Sequence, residues 1–482
     1  MTERAEHLKE DPLAAVLSAV STPSPLDTPL GRFELVDGVP TPESVERLYA
    51  SLDLVRGIEA YLSTIPGASL VAMRQGFRSL GLVRSTQIGY TEPRADSNGV
   101  FLTANTETTY GTFFFDLHET GPFVIEPPQQ SLCVVDDFWF RYVADMGIAG
   151  PDRGEGGRYL FLPPDHDGGV PDGYHVYRTP TFTNWVVLRA LGGVPAMRTT
   201  RVYPLADVDD PPETEFVNIA GARVNTVHAN DASFFDEVAE IVAEEPPGAL
   251  DPERAGLLRA VGIQHGRPFT PSPERRATLD TAARTAAAMS RALVYSPRDP
   301  EAPIAPGSRW LNGFLGGSYE FLADGARLLD ARTQFHFLAT VITPAMAHAQ
   351  VGAGSAYAYT AHDAAGAVLD GARTYRLVLT PNPPAENFWA VDIYDTQTRS
   401  LLQTSDPHPS VMSLTGTVAT EDDGSIVLWF GPEPPEGRER NWVETAPGKS
   451  WFPLLRLYGP LEPWFDRTWL PGDLELVEST RG

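Results

Sequence analysis

Residues 102–146, LTANTETTYGTFFFDLHETGPFVIEPPQQSLCVVDDFWFRYVADM, alternate short apolar runs with polar clusters. The runs 112–117, 123–126 and 131–137 are bounded by Gly121-Pro122 and Pro127-Pro128, the pattern of short strands joined by turns. Two polar clusters interrupt them. One is Asn105-Thr106-Glu107-Thr108-Thr109-Tyr110. The other is Asp136-Asp137-Phe138-Trp139-Phe140-Arg141, with Asp145 following. Carboxylates, a Tyr and an Arg among aromatics are the usual lining of a small-molecule pocket.

Working outward, further strand-like runs at 158–162, 174–178 and 185–190 predict an antiparallel sandwich over 82–204. The glycine-rich stretch 150–157 lacks the GxxxxGK[ST] pattern and carries two acids, so it predicts a shaped loop over a pocket rather than a phosphate cradle. Upstream, residues 1–30 are Pro-rich and polar and predict a loose arm, followed by helices within 31–81. Thr41-Pro42 is a helix start, and Val45, Leu48, Leu52, Val55, Ile58 and Leu62 form one apolar stripe. Pro66-Gly67 is expected to end that helix and a second to run over 68–80, with Arg74 and Arg78 on a solvated face. Residues 205–352 predict a helical domain. Its helices start at Asp231, Asp251-Pro252 and Ser272-Pro273, and a last one, interrupted by Pro344, spans 319–350. Strands return over 353–482, with a hairpin expected at Asp423-Gly424.

At 482 residues the chain exceeds what one core serves, and roughly three domains are expected. Its net charge of −26 opposes nucleic acid and anionic membrane surfaces as partners. A small-molecule ligand remains the expected partner, and homo-oligomerisation stays open. Cys133 is the one cysteine, so no intramolecular disulfide forms, and its apolar run predicts a buried side chain. Residues 1–20 lack the charge and apolar pattern of a signal peptide, and no run approaches a membrane span, which makes a cytoplasmic location the expectation.

Several longer motifs carry a family resemblance. Asn105–Tyr110, the aspartate-ended run 132–137, and Gly156-Gly157-Arg158-Tyr159-Leu160 form the N-terminal set. Leu369-Asp370-Gly371-Ala372-Arg373-Thr374-Tyr375, Phe388-Trp389-Ala390-Val391-Asp392-Ile393-Tyr394-Asp395, Asp423-Gly424-Ser425 and Asn441-Trp442 form the C-terminal set. From about Arg32 onward the chain resembles the bacterial proteins that pair domain of unknown function 1254 with domain of unknown function 1214. The resemblance implies a multidomain α and β fold: an N-terminal Ig-like β-sandwich, a central helical domain and a C-terminal jelly-roll-like β-sandwich. Part of the family pattern carries Asp where Glu107 stands, which keeps the carboxylate and shortens its reach.

Glu107 among Thr and aromatic residues is a candidate general acid or base, with Tyr110 to orient or protonate and Arg141 to hold an anionic group. The alternative is a Glu that holds a turn by bonding backbone N–H groups. Asp137 is the fourth candidate, although Asp137, Arg141 and Asp145 at i,i+4 spacing equally suit an ion-pair lock. Adjacent Asp136 and Asp137 point to opposite faces of a strand and cannot both serve one site. Asn105, Trp139, His228 and Tyr357 are candidate substrate-binding residues; Asn105 also suits a turn, and Trp139 a core. No HExxH, G-x-S-x-G or nucleotide fingerprint occurs, so no nucleotide cofactor and no spaced metal motif is expected. The expectation is a hydrolase or lyase working on a small organic molecule by carboxylate and Tyr acid–base chemistry. The competing class is a carbohydrate- or ligand-binding or structural protein without catalysis.

Overall fold

The computed structural model describes residues 12–477. Among them it is a mixed α and β, multidomain molecule with ten α-helices and several sheets, none closed into a barrel. The first part of the expected arm lies outside the described residues. Its described part is structured, with a helix Pro12–Val20 and a strand Leu26–Thr28 paired to Gly31–Phe33.

Strands form where the sequence alternates. A six-stranded sheet takes Gln87–Tyr90, Gly111–Asp116, Ser131–Asp137, Tyr142–Gly147, Thr183–Ala190 and Glu215–Asn218. A four-stranded sheet takes Phe123–Glu126, Tyr159–Leu162, His175–Arg178 and Arg201–Pro204. The two face each other across a core of Phe113, Phe115, Phe123, Cys133, Val135, Phe161, Val186 and Leu188. Cys133 is buried there, and burial pushes its thiol up to about 12. The expected purely antiparallel pattern is broken at two edges. Tyr159–Leu162 runs parallel to His175–Arg178, and Gln87–Tyr90 parallel to Glu215–Asn218.

The C-terminal part repeats this plan. Leu311–Asn312, Ser355–Tyr359, Ala385–Asp395, Ser410–Met412 and Trp451–Pro460 form a five-stranded sheet. Thr374–Leu379, Ile426–Gly431, Trp442–Glu444 and Glu475–Val477 form the facing four-stranded one. Side chains alternate across a strand. Ala356, Ala358, Val391, Ile393, Leu455 and Leu457 therefore fill the core between these sheets. Their neighbours Tyr357, Asp392, Tyr394, Arg456 and Tyr458 lie on the outer face. Asp423-Gly424 makes a turn, not a hairpin: Ile426–Gly431 pairs with Thr374–Leu379 and Trp442–Glu444, not with the preceding segment.

Between the two pairs of sheets lie the helices. Pro42–Ser79 is one helix of 38 residues, capped by Thr41, and runs straight through Pro66. The expected break does not occur because residues 63–74 are buried almost without interruption. Burial on that scale offsets the roughly 3 kcal/mol that an interior proline costs. The helix packs against Ser233–Glu244, Pro252–Ala260, Pro273–Tyr295 and Leu329–Leu338. Asp251 and Ser272 cap two of these as expected. The last expected helix shrinks to Leu329–Leu338 and Pro344–Ala347. Arg74 is not on a solvated face. It is 3% exposed, paired with Glu240 and Glu244 at 2.7 and 2.6 Å, and lies over the Phe138 ring.

One apolar core joins these layers. It contains Tyr61, Ile65 and Leu70 from the long helix and Val134, Trp185 and Val187 from the six-stranded sheet. Tyr359, Tyr394, Phe452 and Leu454 from the outer face of the five-stranded sheet complete it. The C-terminal outer face is thus covered by the rest of the chain, and the loop 101–110 lies over part of it.

Candidate functional site

The loop after Gln87–Tyr90 crosses to the C-terminal sheet before returning to Gly111–Asp116. Backbone groups pin it there. The Thr103 N–H donates to the Arg399 carbonyl at 2.8 Å, Arg456 Nη2 donates to the Thr103 carbonyl at 2.7 Å, and the Tyr394 hydroxyl donates to the Ala104 carbonyl at 2.6 Å. Asn105 then folds the chain back. Its Oδ1 accepts from the N–H groups of Glu107 and Thr108 at 3.3 and 3.2 Å, and its Nδ2 donates to the Tyr110 hydroxyl at 3.0 Å. This is an Asx turn, the local bonding that makes Asn a turn former. Its effect is to project Glu107 onto the outer face of the five-stranded sheet.

Strand register supplies the other members. Ala390 lies opposite Arg456, Phe388 opposite Tyr458, and Tyr357 opposite Arg456, so these side chains and Asp392 share one face. Asp392 is fully buried and pairs with Arg456 Nε at 3.0 Å. Thr106 donates to Asp392 Oδ1 at 3.3 Å, and Arg456 Nη2 also donates to the Tyr394 hydroxyl at 2.8 Å. The Tyr458 hydroxyl donates to Glu107 Oε2 at 3.1 Å. Arg189, half-exposed, lies over the Tyr458 ring at 5.2 Å, and Phe388 stacks on it at 4.1 Å.

The electrostatics follow from two carboxyl groups in one buried place. Burial, and then the charge of Asp392, hold the Glu107 carboxyl well above the usual carboxylate range, against the opposing pull of Arg456. Like charges in contact cannot both ionise cheaply, so the pair favours keeping a proton, and Arg456 at 3.0 Å from Asp392 offsets the charge that remains. Burial above all pushes the Tyr458 phenol up, which keeps it a proton donor. The arrangement offers a neutral carboxylic acid beside a phenol at a half-exposed rim.

Glu107, Asn105, Tyr110 and Tyr357 are thus brought together at one place. Arg141, Asp137, Trp139 and His228 are not part of it. Asp137 Oδ1 accepts from the N–H groups of Trp139 and Arg141, and its Oδ2 pairs with Arg141 Nε at 2.7 Å. The pair closes the tight turn over 138–141, and Arg141 also donates to the Ala249 carbonyl. Asp145 leaves the expected triplet because Tyr142–Gly147 is a strand; it bonds Tyr142 and Thr343 instead. Trp139 packs on the long helix, where a Cβ on Gly67 would lie 2.6 Å from its ring. His228 is buried, with Nδ1 3.0 Å from the Ala229 carbonyl and Nε2 3.3 Å from Arg399 Nη2; burial and Arg399 hold its imidazole down to about 3.

Asp392, Tyr394, Arg456, Tyr458 and Arg189 were not among the candidates. One signal for them existed. WFPLLRLYGP is a wholly buried strand with a lone charge, Arg456, and Asp392 likewise interrupts an apolar run. A buried charge needs a partner. The glycine-rich loop does border a cavity, of about 630 Å³, lined by Glu126, Gln129, Glu155, Gly156, Gly157 and Arg158, but that cavity shares no residue with the Glu107 cluster.

The loop and the sheet belong to two family regions. Residues 86–207 match the family described as protein of unknown function (DUF1254), and residues 354–462 the family described as protein of unknown function (DUF1214). The chain pairs DUF1254 with DUF1214. Glu107 comes from the first region and Asp392, Arg456 and Tyr458 from the second, so the cluster exists only where the two meet. The chain is similar in fold to the crystal structure of the VPA0106 protein from Vibrio parahaemolyticus, at 16% identity and a TM-score of 0.53, over 89% of this chain and all of that one. A protein from Burkholderia cenocepacia aligns over 89% of this chain and 96% of its own at 13% identity, with a TM-score of 0.39. None of the curated proteins matches the chain.

Proposed function

We propose that this DUF1254–DUF1214 protein is an enzyme that needs no nucleotide cofactor and acts on a small organic molecule, as a hydrolase or a lyase. The observation that carries this is the Glu107–Asp392 carboxyl pair held by Arg456 and Tyr458 where the two family regions meet. Neutral Glu107 protonates a leaving group and, once ionised, takes a proton from water or from a carbon acid. Tyr458 steadies the carboxyl in both states. Arg456 pairs with Asp392 and holds the carboxyl pair in place beside Glu107. Arg189 takes the anion-holding part first given to Arg141, because among the described residues it has no carboxylate within ion-pair distance. The finer fold names belong to the same proposal: an Ig-like sandwich for the N-terminal pair of sheets and a jelly-roll-like one for the C-terminal pair, supported by two facing, mostly antiparallel sheets in each.

Purified protein assayed against panels of esters, lactones, glycosides and hydroxy acids tests the reading. Turnover that is lost in Glu107→Gln, with Tm near wild type, supports it. No turnover on any panel, or turnover unchanged in Glu107→Gln, rejects it. A binding role without catalysis is the second reading, supported by the aromatic rim of Tyr110, Tyr357 and Phe388. It predicts saturable ligand binding that Glu107→Gln leaves intact.

A further inference from the structure

The helix Pro273–Tyr295 ends, like any helix, with carbonyls that have no partner inside it. Tyr359, from the outer face of the five-stranded sheet, serves one of them: its hydroxyl donates to the Val294 carbonyl at 2.7 Å. A carbonyl only accepts, so the single phenolic proton is spent there and the hydroxyl oxygen is left to accept. Gln334, on the helix Leu329–Leu338, fills that place by donating from Nε2 at 2.9 Å. This chain of bonds fixes which end of the Gln334 amide is the nitrogen. Its Oε1 is the free end, and among the described residues it accepts no hydrogen bond, although Gln334 is only 5% exposed.

Gln334 lines a cavity of about 260 Å³ between the end of the first helix and the start of the second. Leu293, Pro297, Leu315 and Ala331 make its apolar walls. An apolar cavity of roughly 150 Å³ takes benzene, so this one has room for a ring or short chain with a polar group at each end. Its rim is exposed, and there Arg298 is spent on Asp330, through Nε at 3.2 Å and Nη2 at 2.8 Å. Asp299 beside it accepts from the Glu301 N–H and, among the described residues, has no cation within ion-pair distance. Asp330, Ala331 and Gln334 share one face of their helix, so rim and floor lie about 6 Å apart along its axis. The unused polar atoms of the lining are thus two acceptors, a buried neutral one at the floor and an exposed anionic one at the rim, across an apolar gap.

We propose that this cavity binds a small hydroxylated amine. Asp299 holds the ammonium at the rim, the walls enclose an apolar body, and a hydroxyl donates to Gln334 Oε1 at the floor. The charged end stays where its desolvation is least, and the neutral end satisfies a buried acceptor that the protein leaves open. The cavity shares no residue with the Glu107 cluster, and its occupant does not depend on the chemistry proposed there.

The test uses the full chain. Tm and calorimetric titration are followed with tyramine and aminohexanol, with phenethylamine, which lacks the hydroxyl, and with para-ethylphenol, which lacks the amine. A saturable rise in Tm with a hydroxylated amine, and binding at least tenfold weaker for phenethylamine and para-ethylphenol than for tyramine, is the expected result. Asp299→Asn, an exposed change outside the core, should leave the starting Tm unchanged and weaken tyramine at least tenfold while sparing para-ethylphenol. Gln334→Leu should bring tyramine down to the affinity of phenethylamine; if that variant does not fold, Asp299→Asn and the two analogues decide the matter. No saturable effect of either hydroxylated amine on the wild type, analogues that bind as tightly as tyramine, or tyramine binding unchanged in either folded variant overturns the proposal.

Discussion

The Asp392–Arg456 pair is fully enclosed, so each partner is tolerable only because of the other. Arg456→Met should destabilise the protein by about 3–5 kcal/mol in denaturant unfolding, since it strands a buried carboxylate. Asp392→Asn in the same chain should recover part of that loss. Glu107 behaves in the opposite sense. Its folded-state pKa is raised, so its contribution is fully present below the unfolded value near 4.5 and is lost as pH rises towards the folded value. The stability of Glu107→Gln relative to wild type should therefore grow from pH 4.5 upward. A difference that is flat with pH would show that Glu107 ionises normally and is not the site's proton reservoir.

Helix elements set closer limits than their propensities suggest. Gly76 lies in the long helix, and a Cβ there would meet the Asn225 carbonyl oxygen at 2.4 Å. That neighbour is backbone and cannot swing away, so Gly76→Ala should destabilise by roughly 1–3 kcal/mol, as overpacking does. Gly256, in Pro252–Ala260, has nothing within 4 Å of the same position. Gly256→Ala should stabilise by about 0.5–1 kcal/mol through helix propensity alone. Equilibrium denaturation of the two variants separates packing from propensity with one chemical change. Helix starts at Thr41, Asp251 and Ser272 were legible because a capping side chain and a following proline act locally. The passage through Pro66 was not, because burial against distant helices overrides the local signal.

At the scale of the molecule, a single core spans both β parts and the helices, so the parts are expected to unfold together. Calorimetry should show one transition, and residues 353–477 expressed alone should aggregate, because Tyr359, Tyr394 and Phe452 would lose their cover. Two buried histidines oppose folding as the pH falls. Burial holds His228 and His336 down to about 3, with Arg399 and Arg332 adding to it. A lowered imidazole pKa contributes stability that is full above the unfolded value near 6.5 and lost as pH falls towards 3. The unfolding free energy of wild type relative to His336→Leu should therefore fall across that window.

Much of the strand plan, the main helix starts and the turn made by Asn105 were readable directly, because alternation, caps and Asx bonding act within a few residues. The motif pairing was readable too, and it pointed to Glu107. Which face of Ala385–Asp395 and Trp451–Pro460 met the N-terminal loop was not, because residues 286 and 351 positions apart carry no sequence signal of contact. Asp392, Arg456 and Tyr458 became partners of Glu107 only through strand register and the docking of two family regions. Arg141 went the other way. Its spacing from Asp137 fitted both a lock and a site, and the turn over 138–141 with the Ala249 carbonyl made it a lock.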